Sequence, residues 1–212
     1  MGHRGGKTGR QTSGTARKTR MLVQIAMLAA VATVLMLFEF PLPFAPPFYE
    51  LDFSEVPVLI GSFAMGPAAG AGIELVKVLL NLVINGTDTM FVGELANFII
   101  GCALVVPAGI IYRKHKSKKH AMIGMLVGII CMALIGAVVN AGMLLPAYGK
   151  AFHMDISAFV AIGQAINPAI DSLFKFCLFA VVPFNLVKGL AVSVITLLLY
   201  KHISRLLKYH SV

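Results

Sequence analysis

Apolar residues run through this chain in stretches too long for one face of a soluble helix, broken by short clusters of proline, glycine, asparagine and charge. Met21–Phe38 is the first run, and it ends at Glu39-Phe40-Pro41-Leu42-Pro43, where proline cannot continue a helix. Residues 41–55 form a connecting loop rich in proline, phenylalanine and acids. Runs follow over Val56–Ala71 and Gly72–Ile84, joined through the small-residue segment Gly66-Pro67-Ala68-Ala69-Gly70-Ala71-Gly72, and Asn85-Gly86-Thr87-Asp88 marks a turn. Met90–Tyr112 and Ala121–Leu145 come next. A more polar segment over 146–172 carries an expected short helix near 156–166, and a last apolar run covers Phe174–Tyr200. At ~20 apolar residues per crossing, this pattern predicts an all-α membrane protein with a bundle of about six transmembrane helices. The runs at 56–71 and 72–84 are short and glycine-rich, and one re-entrant hairpin would satisfy the same connectivity.

Composition removes the soluble alternatives. The 212 residues are 58% hydrophobic and 13% charged, with a mean hydropathy of +0.86, against about 45–50% and 25% in soluble domains. No length remains for a separate catalytic or nucleotide-binding domain. The net charge of +9 is not spread as a nucleic-acid surface would be. It concentrates in Arg4, Lys7, Arg10, Arg17, Lys18 and Arg20, in the run Arg113-Lys114-His115-Lys116-Ser117-Lys118-Lys119, and in Lys201, Arg205 and Lys208, none of which has an acid among them. By the positive-inside rule all three stretches are cytoplasmic, so an even number of crossings separates each from the next. The chain therefore reads as a multi-pass plasma-membrane protein with both termini cytoplasmic. Residues 1–20 are expected to be a disordered basic tail, 21–205 the transmembrane domain, and 206–212 a cytoplasmic tail. The basic start before an apolar run resembles a signal peptide, but the run is long and lacks a small-x-small site, so it reads as a retained helix.

Chemistry of the catalytic kind is sparse. Cys102, Cys131 and Cys177 are unpatterned and lie in apolar spans, as small core residues do. The histidines lie in tails, loops or at a helix end, and no Walker, zincin or nucleophile-elbow motif occurs. What stands out is polarity at membrane depth, which is costly in lipid. Glu74, Lys77 and Asn81 share one span, Glu94 and Asn97 the next, Asn140 the one after, and Asn185 and Lys188 the last. At ~1.5 Å rise per residue, Lys188 stands about 18 Å above a boundary near Tyr200, and Asn140 about 28 Å above Ala121. All of these fall in the outer half of the bilayer. A pore or proton path needs polar groups through the whole thickness, so this distribution points to a pocket open to the outside under the Pro/Phe-rich loop. Asparagine offers both donor and acceptor, which suits a neutral heteroaromatic ligand, and Phe44, Phe48, Tyr49, Phe53, Phe91, Phe98 and Phe184 can supply flat contact. Glu74 can equally serve only to neutralise Lys77, and each asparagine can serve only to bond between helices. On the first span, Ala26 and Ala30 form an A-x-x-x-A ridge that permits close helix approach, within the molecule or to a partner.

Taken with the alanine ridge, the segments Tyr49-Glu50-Leu51-Asp52-Phe53-Ser54-Glu55-Val56-Pro57 and Val182-Pro183-Phe184-Asn185-Leu186-Val187-Lys188-Gly189 make residues 21–205 resemble the riboflavin-specific substrate-binding (S) components of energy-coupling factor (ECF) vitamin transporters. The resemblance implies a six-helix bundle of the S-component type. It implies that Asn185, Lys188 and Asn140 contact the isoalloxazine ring, and that the loop around Phe44, Ala45 and Phe48, with an acid such as Glu55, covers the ligand. By depth, Glu94 and Asn97 with loop backbone suit the ribityl hydroxyls, and Asn81, one turn below the outer turn, lies in the same slab. Ala26 and Ala30 would dock on a transmembrane coupling protein, and two cytoplasmic ATPases would complete the transporter. The S component would bind riboflavin outside and topple within the bilayer to release it inside. No cofactor, catalytic residue or metal is expected. The alternatives are the same fold carrying another vitamin, a small membrane enzyme using Asp52 and Glu55 as a carboxylate pair, and a purely structural subunit.

Overall fold

A computed structural model describes residues 8–87 and 90–208. Helix α1 spans Thr8–Met36. It begins inside the stretch expected to be disordered, because a helix nucleated in the apolar run propagates into adjoining turns at little further cost; residues 1–7 of that tail lie outside the described residues. Ala29, Ala32, Thr33 and Met36 are buried, while Leu22, Val23, Met27, Val31 and Val34 are exposed, so α1 packs one stripe inward and presents the other to its apolar surroundings.

Helix α2 covers Glu55–Met65 and α3 covers Pro67–Asn85. The break falls at Gly66 and not near Gly72. Gly66 adopts φ = 100°, a conformation open to glycine, and Pro67 occupies the first turn of α3, where its missing N–H costs nothing. At 1.5 Å per residue α2 is only about 16 Å long, half a hydrocarbon core. Five helices are long and apolar enough to cross a membrane among the described residues: Gly14–Met36, Pro67–Asn85, Val92–Lys114, Lys118–Phe152 and Leu173–Tyr200. The expected count of about six full-length spans is therefore corrected to these, with α2 and the helix at Ile156–Ile166 as shorter apolar helices.

Helix α4 (Val92–Lys114) and α5 (Lys118–Val139) form an antiparallel hairpin. Their backbones touch: a Cβ at Gly124 would stand 2.7 Å from the Ala108 carbonyl oxygen, and one at Gly128 would stand 2.3 Å from that of Leu104. Helix α5 passes through a π turn, Asn140–Leu144, into α6 (Leu145–Phe152). After α7 (Ile156–Ile166) and α8 (Leu173–Phe176), a second π turn at Cys177–Val181 leads into α9, Val182–Lys208. Each π turn ends just before a proline, Pro146 or Pro183. A proline ring pushes away the carbonyl four residues back, and the wider turn accommodates it. One core joins the inner faces of α1–α5 and α9 around Leu59, Leu104, Met125 and Met132. A second surrounds Leu145, Phe176 and Val181.

Candidate substrate-binding site

The connection between α1 and α2 folds partly inward, with Ala45, Tyr49, Leu51 and Asp52 buried while Pro43, Phe44, Pro47 and Glu50 stay exposed. Its ends pair as a short antiparallel ribbon, β1 (Phe40–Pro41) with β2 (Glu50–Leu51). Ala45, Tyr49 and Leu51 then bury against Leu145, Phe159, Ile170, Phe176 and Phe184. Phe48 meets the Phe159 ring edge-on at 5.9 Å and stacks on Phe176 at 6.4 Å between centroids. Beyond β2 the chain descends, so that Asp52, Ser54 and Glu55 are all buried.

Two buried lysines fix this descent. Lys188 of α9 donates to Asp52 Oδ2 at 2.7 Å, and Asp52 Oδ1 accepts the Ser54 N–H at 2.7 Å. Burial alone would raise the Asp52 carboxyl; the ammonium groups of Lys188 and Lys77 and these two hydrogen bonds outweigh it and hold the pKa at about 2. Lys77 of α3 donates to Glu55 Oε1 at 2.8 Å and to Ser54 Oγ at 3.2 Å, and its Nζ lies 2.7 Å from Glu74 Oε1. Glycine at position 101 of α4 makes room for the carboxylates, since a Cβ there would stand 2.3 Å from Glu74 Oε1. The i,i+3 pairing of Glu74 with Lys77 was readable from spacing; the Glu55 and Asp52 partners were not.

Above these ion pairs lies a cavity of ≈ 480 Å³. Its wall includes Glu55, Asn81, Glu94, Asn97, Asn140, Asn185 and Lys188, so the structure brings together these polar positions from five parts of the chain. Tyr49 donates to Asn140 Oδ1 at 2.5 Å, and Asn140 Nδ2 donates to the Gly136 carbonyl at 2.7 Å. Asn185 Nδ2 likewise donates to the Val181 carbonyl at 2.9 Å. Each amide is thus oriented by its own helix, and each keeps a second N–H in its inventory. At the far wall Glu94 Oε2 accepts from Thr87 Oγ1 at 3.2 Å, and Asn81 Oδ1 accepts from Asn85 Nδ2 at 3.1 Å. Phe48, Tyr49, Tyr148 and Phe184 supply aromatic surface. The arrangement can sandwich a flat ring against aromatics and read its polar edge with amides and an ammonium.

Phe44 and Ala45 are not in that wall. Turns closed by Ala45 N–H to Leu42 O at 3.1 Å and Tyr49 N–H to Pro46 O at 2.9 Å reverse the chain. Phe44 consequently lines a separate cavity of ≈ 370 Å³ beside Ile170, Phe179 and Pro183, and Ala45 is core. Pro47, Phe48, Tyr49, Glu50 and Asp52 line the main cavity in their place. Tyr148, Glu39 and Asp52 in its wall carry no depth signal, because they lie in segments that look like loops.

Glu39 stands at the mouth of this cavity. Partial burial, and then repulsion from Glu50 and Asp52, raise it from 4.5 to about 7, with Lys188 opposing. The folded protein therefore holds a proton that the unfolded chain has released between these two values, and stability falls as pH rises through that window. Thermal unfolding of detergent-solubilised protein should show this slope, and Glu39→Gln should remove it; an unchanged slope in the variant would place the titration elsewhere.

On α1, Ala26 and Ala30 are exposed whereas Ala29 is buried. The A-x-x-x-A ridge therefore faces outward, and intramolecular packing uses the adjacent stripe.

A family model described as the substrate-specific component of ECF transporters matches residues 20–200. The chain belongs to this family. It is 35% identical over 193 residues to the riboflavin transporter RibU of Staphylococcus aureus (strain TCH60), covering 91% of this chain and 94% of that protein. It is 33% identical over 186 residues to the riboflavin transporter FmnP of Bacillus subtilis (strain 168), covering 86% and 91%. A solved structure described as the S component of a bacterial ECF transporter superposes with a TM-score of 0.71 at 33% identity, over 90% of this chain and 99% of that one. ECF substrate-specific components are membrane transport components and not enzymes. The carboxylate-pair alternative also fails on geometry, because Asp52 and Glu55 each neutralise a different lysine.

Proposed function

We propose that this chain binds riboflavin in the ≈ 480 Å³ cavity from the extracellular side and delivers it to the cytoplasm by reorienting in the membrane within an ATP-driven ECF complex. The observation that carries the reading is the convergence of Asn140, Asn185 and Lys188 with aromatic rings in one cavity, in a chain similar to riboflavin transporters over most of its length. The polar edge of isoalloxazine alternates carbonyl acceptors with an N–H. An asparagine amide matches that alternation, and Lys188 supplements it at a carbonyl. Glu94, Asn97 and Asn81 lie across the cavity, where the ribityl hydroxyls would extend. The loop over Phe48–Asp52 closes the site from outside, and riboflavin is cargo, with no cofactor involved.

The basic run Arg113–Lys119, read with the basic ends of the sequence by the positive-inside rule, supports a cytoplasmic position for that side and an extracellular one for the cavity. With α2 counted as the sixth membrane segment, the bundle is the six-helix S-component type. A pocket confined to one half of the bilayer requires the whole body to turn, since no polar path continues inward. The exposed ridge at Ala26 and Ala30 suits docking on a transmembrane coupling protein, and two cytoplasmic ATPases of the ECF module supply the energy.

The test is titration of riboflavin against the purified protein, followed by quenching of flavin fluorescence. Saturable one-to-one binding is expected, weakened about tenfold or more by Asn185→Ala, the worth of a buried hydrogen bond to a ligand. Absence of quenching in folded protein would overturn riboflavin as cargo and direct the same titration to other vitamins.

A further inference from the structure

A second large cavity, of ≈ 540 Å³, lies at the basic end of the bundle between α1, the α2–α3 break and the end of α4. Arg17 and Arg20 of α1, Arg113 of α4 and Lys116 just beyond it converge on this space, and among the described residues no carboxylate lines it. The ion pairs among the described residues all lie elsewhere, on Lys77, Lys175 and Lys188. The break brings Arg113 against the backbone of the α2–α3 turn. Helix α3 begins here with Pro67 after Gly66, and a Cβ at Gly66 would stand 4.0 Å from Arg113 Nη1, so the guanidinium lies directly against the break, where the positive start of α3 faces the C-terminal ends of α2 and α4. The floor is apolar, formed by Phe63 and Met65.

A positive-inside bias accounts for which side these residues occupy. It does not by itself account for four exposed cations gathered around one apolar-floored hollow with no carboxylate beside them among the described residues. We propose that this cavity binds the phosphate group of an anionic membrane lipid, with the arginines on the phosphate and the glycerol and upper acyl chain against Phe63 and Met65. Basic pockets between membrane helices serve such headgroups, and guanidinium matches phosphate in a bidentate manner.

The test uses the full chain purified in a neutral detergent, with lipid retention read by native mass spectrometry and by thermal shift. Phosphatidylglycerol is expected to be retained and to stabilise, and phosphatidylcholine is not. Inorganic phosphate and glycerol phosphate serve as soluble competitors. The double variant Arg20→Gln/Arg113→Gln should weaken phosphatidylglycerol binding by roughly tenfold or more for each arginine removed, the worth of a direct charge-assisted hydrogen bond to phosphate. The double variant Lys118→Gln/Lys119→Gln removes the same charge from exposed positions outside the cavity and should leave binding unchanged. Equal losses in the two double variants would reduce the effect to diffuse surface charge and overturn the site. Soluble phosphate binding as tightly as the lipid would overturn the lipid as its occupant. Equal retention of the two lipids by the unsubstituted protein would overturn the proposal whether or not the variants fold.

Discussion

Lys77→Met is expected to prevent stable folding. Lys77, Glu55 and Glu74 are fully buried together, and removing the single cation leaves two carboxylates facing each other in the interior. Breaking a buried ion pair from one side costs about 3–5 kcal/mol, a large share of the roughly 5–15 kcal/mol by which a typical protein is stable. The triple replacement Lys77→Met/Glu55→Gln/Glu74→Gln should recover most of that loss, because the volume is kept and the charges are gone. Thermal unfolding of the three proteins in detergent measures it. If Lys77→Met melts at the temperature of the unsubstituted protein, the triad does not hold α2 to α3. The lysine lies too deep in its ion pairs to serve the ligand directly, which separates its role from that of the other buried lysine.

Lys188 is the second case, and the larger effect there falls on binding. It lines the cavity and also tethers the loop through Asp52, so Lys188→Met should weaken riboflavin binding about 10- to 100-fold, the range for a lost hydrogen bond from a charged donor. The single variant alone mixes two causes, since Asp52 is left buried and unpaired. Lys188→Met/Asp52→Asn resolves them: stability should return, because neither charge remains, while affinity should stay low if the ammonium touches the flavin. Recovery of affinity in the double variant would mean that Lys188 acts only by seating the loop. Comparing melting temperature with the flavin dissociation constant across the three proteins distinguishes the outcomes.

The polar wall of the cavity was legible in the sequence because charge and amide groups inside an apolar run have few physical reasons to be there. Asn81, Glu94, Asn97, Asn140, Asn185 and Lys188, placed in one slab by depth, line one cavity, and Glu55 joins them from the loop side. Their partners were not legible. Asp52 meets Lys188 across 136 positions of chain, and nothing local distinguishes an acid at an outer helix start from one that sinks into the bundle. Phe44 and Ala45 were misplaced for a related reason: only the turns between Leu42 and Tyr49 decide which loop residues point down. The α2–α3 boundary did carry a signal. Gly66, Gly70 and Gly72 were all candidates for the break, but only Gly66 precedes a proline. The early start of α1 had no comparable mark, since glycine and threonine there oppose a helix while the interspersed arginines and lysines favour one.

The distribution of buried charge also sets the order in which the molecule can be assembled during its synthesis. Lys77 has Glu74 one turn earlier on its own helix, so α3 can enter the translocon and partition into lipid carrying no net charge before any neighbour is packed. Glu55 has no such companion on α2. As the first residue of that helix, it stays with the loop at the headgroup level until Lys77 is in place to receive it. Asp52 waits longer still, because its lysine lies on α9, the last helix to leave the ribosome. A chain that ends before α9 lacks Lys188, and so leaves Asp52 and the loop it tethers without their buried partner.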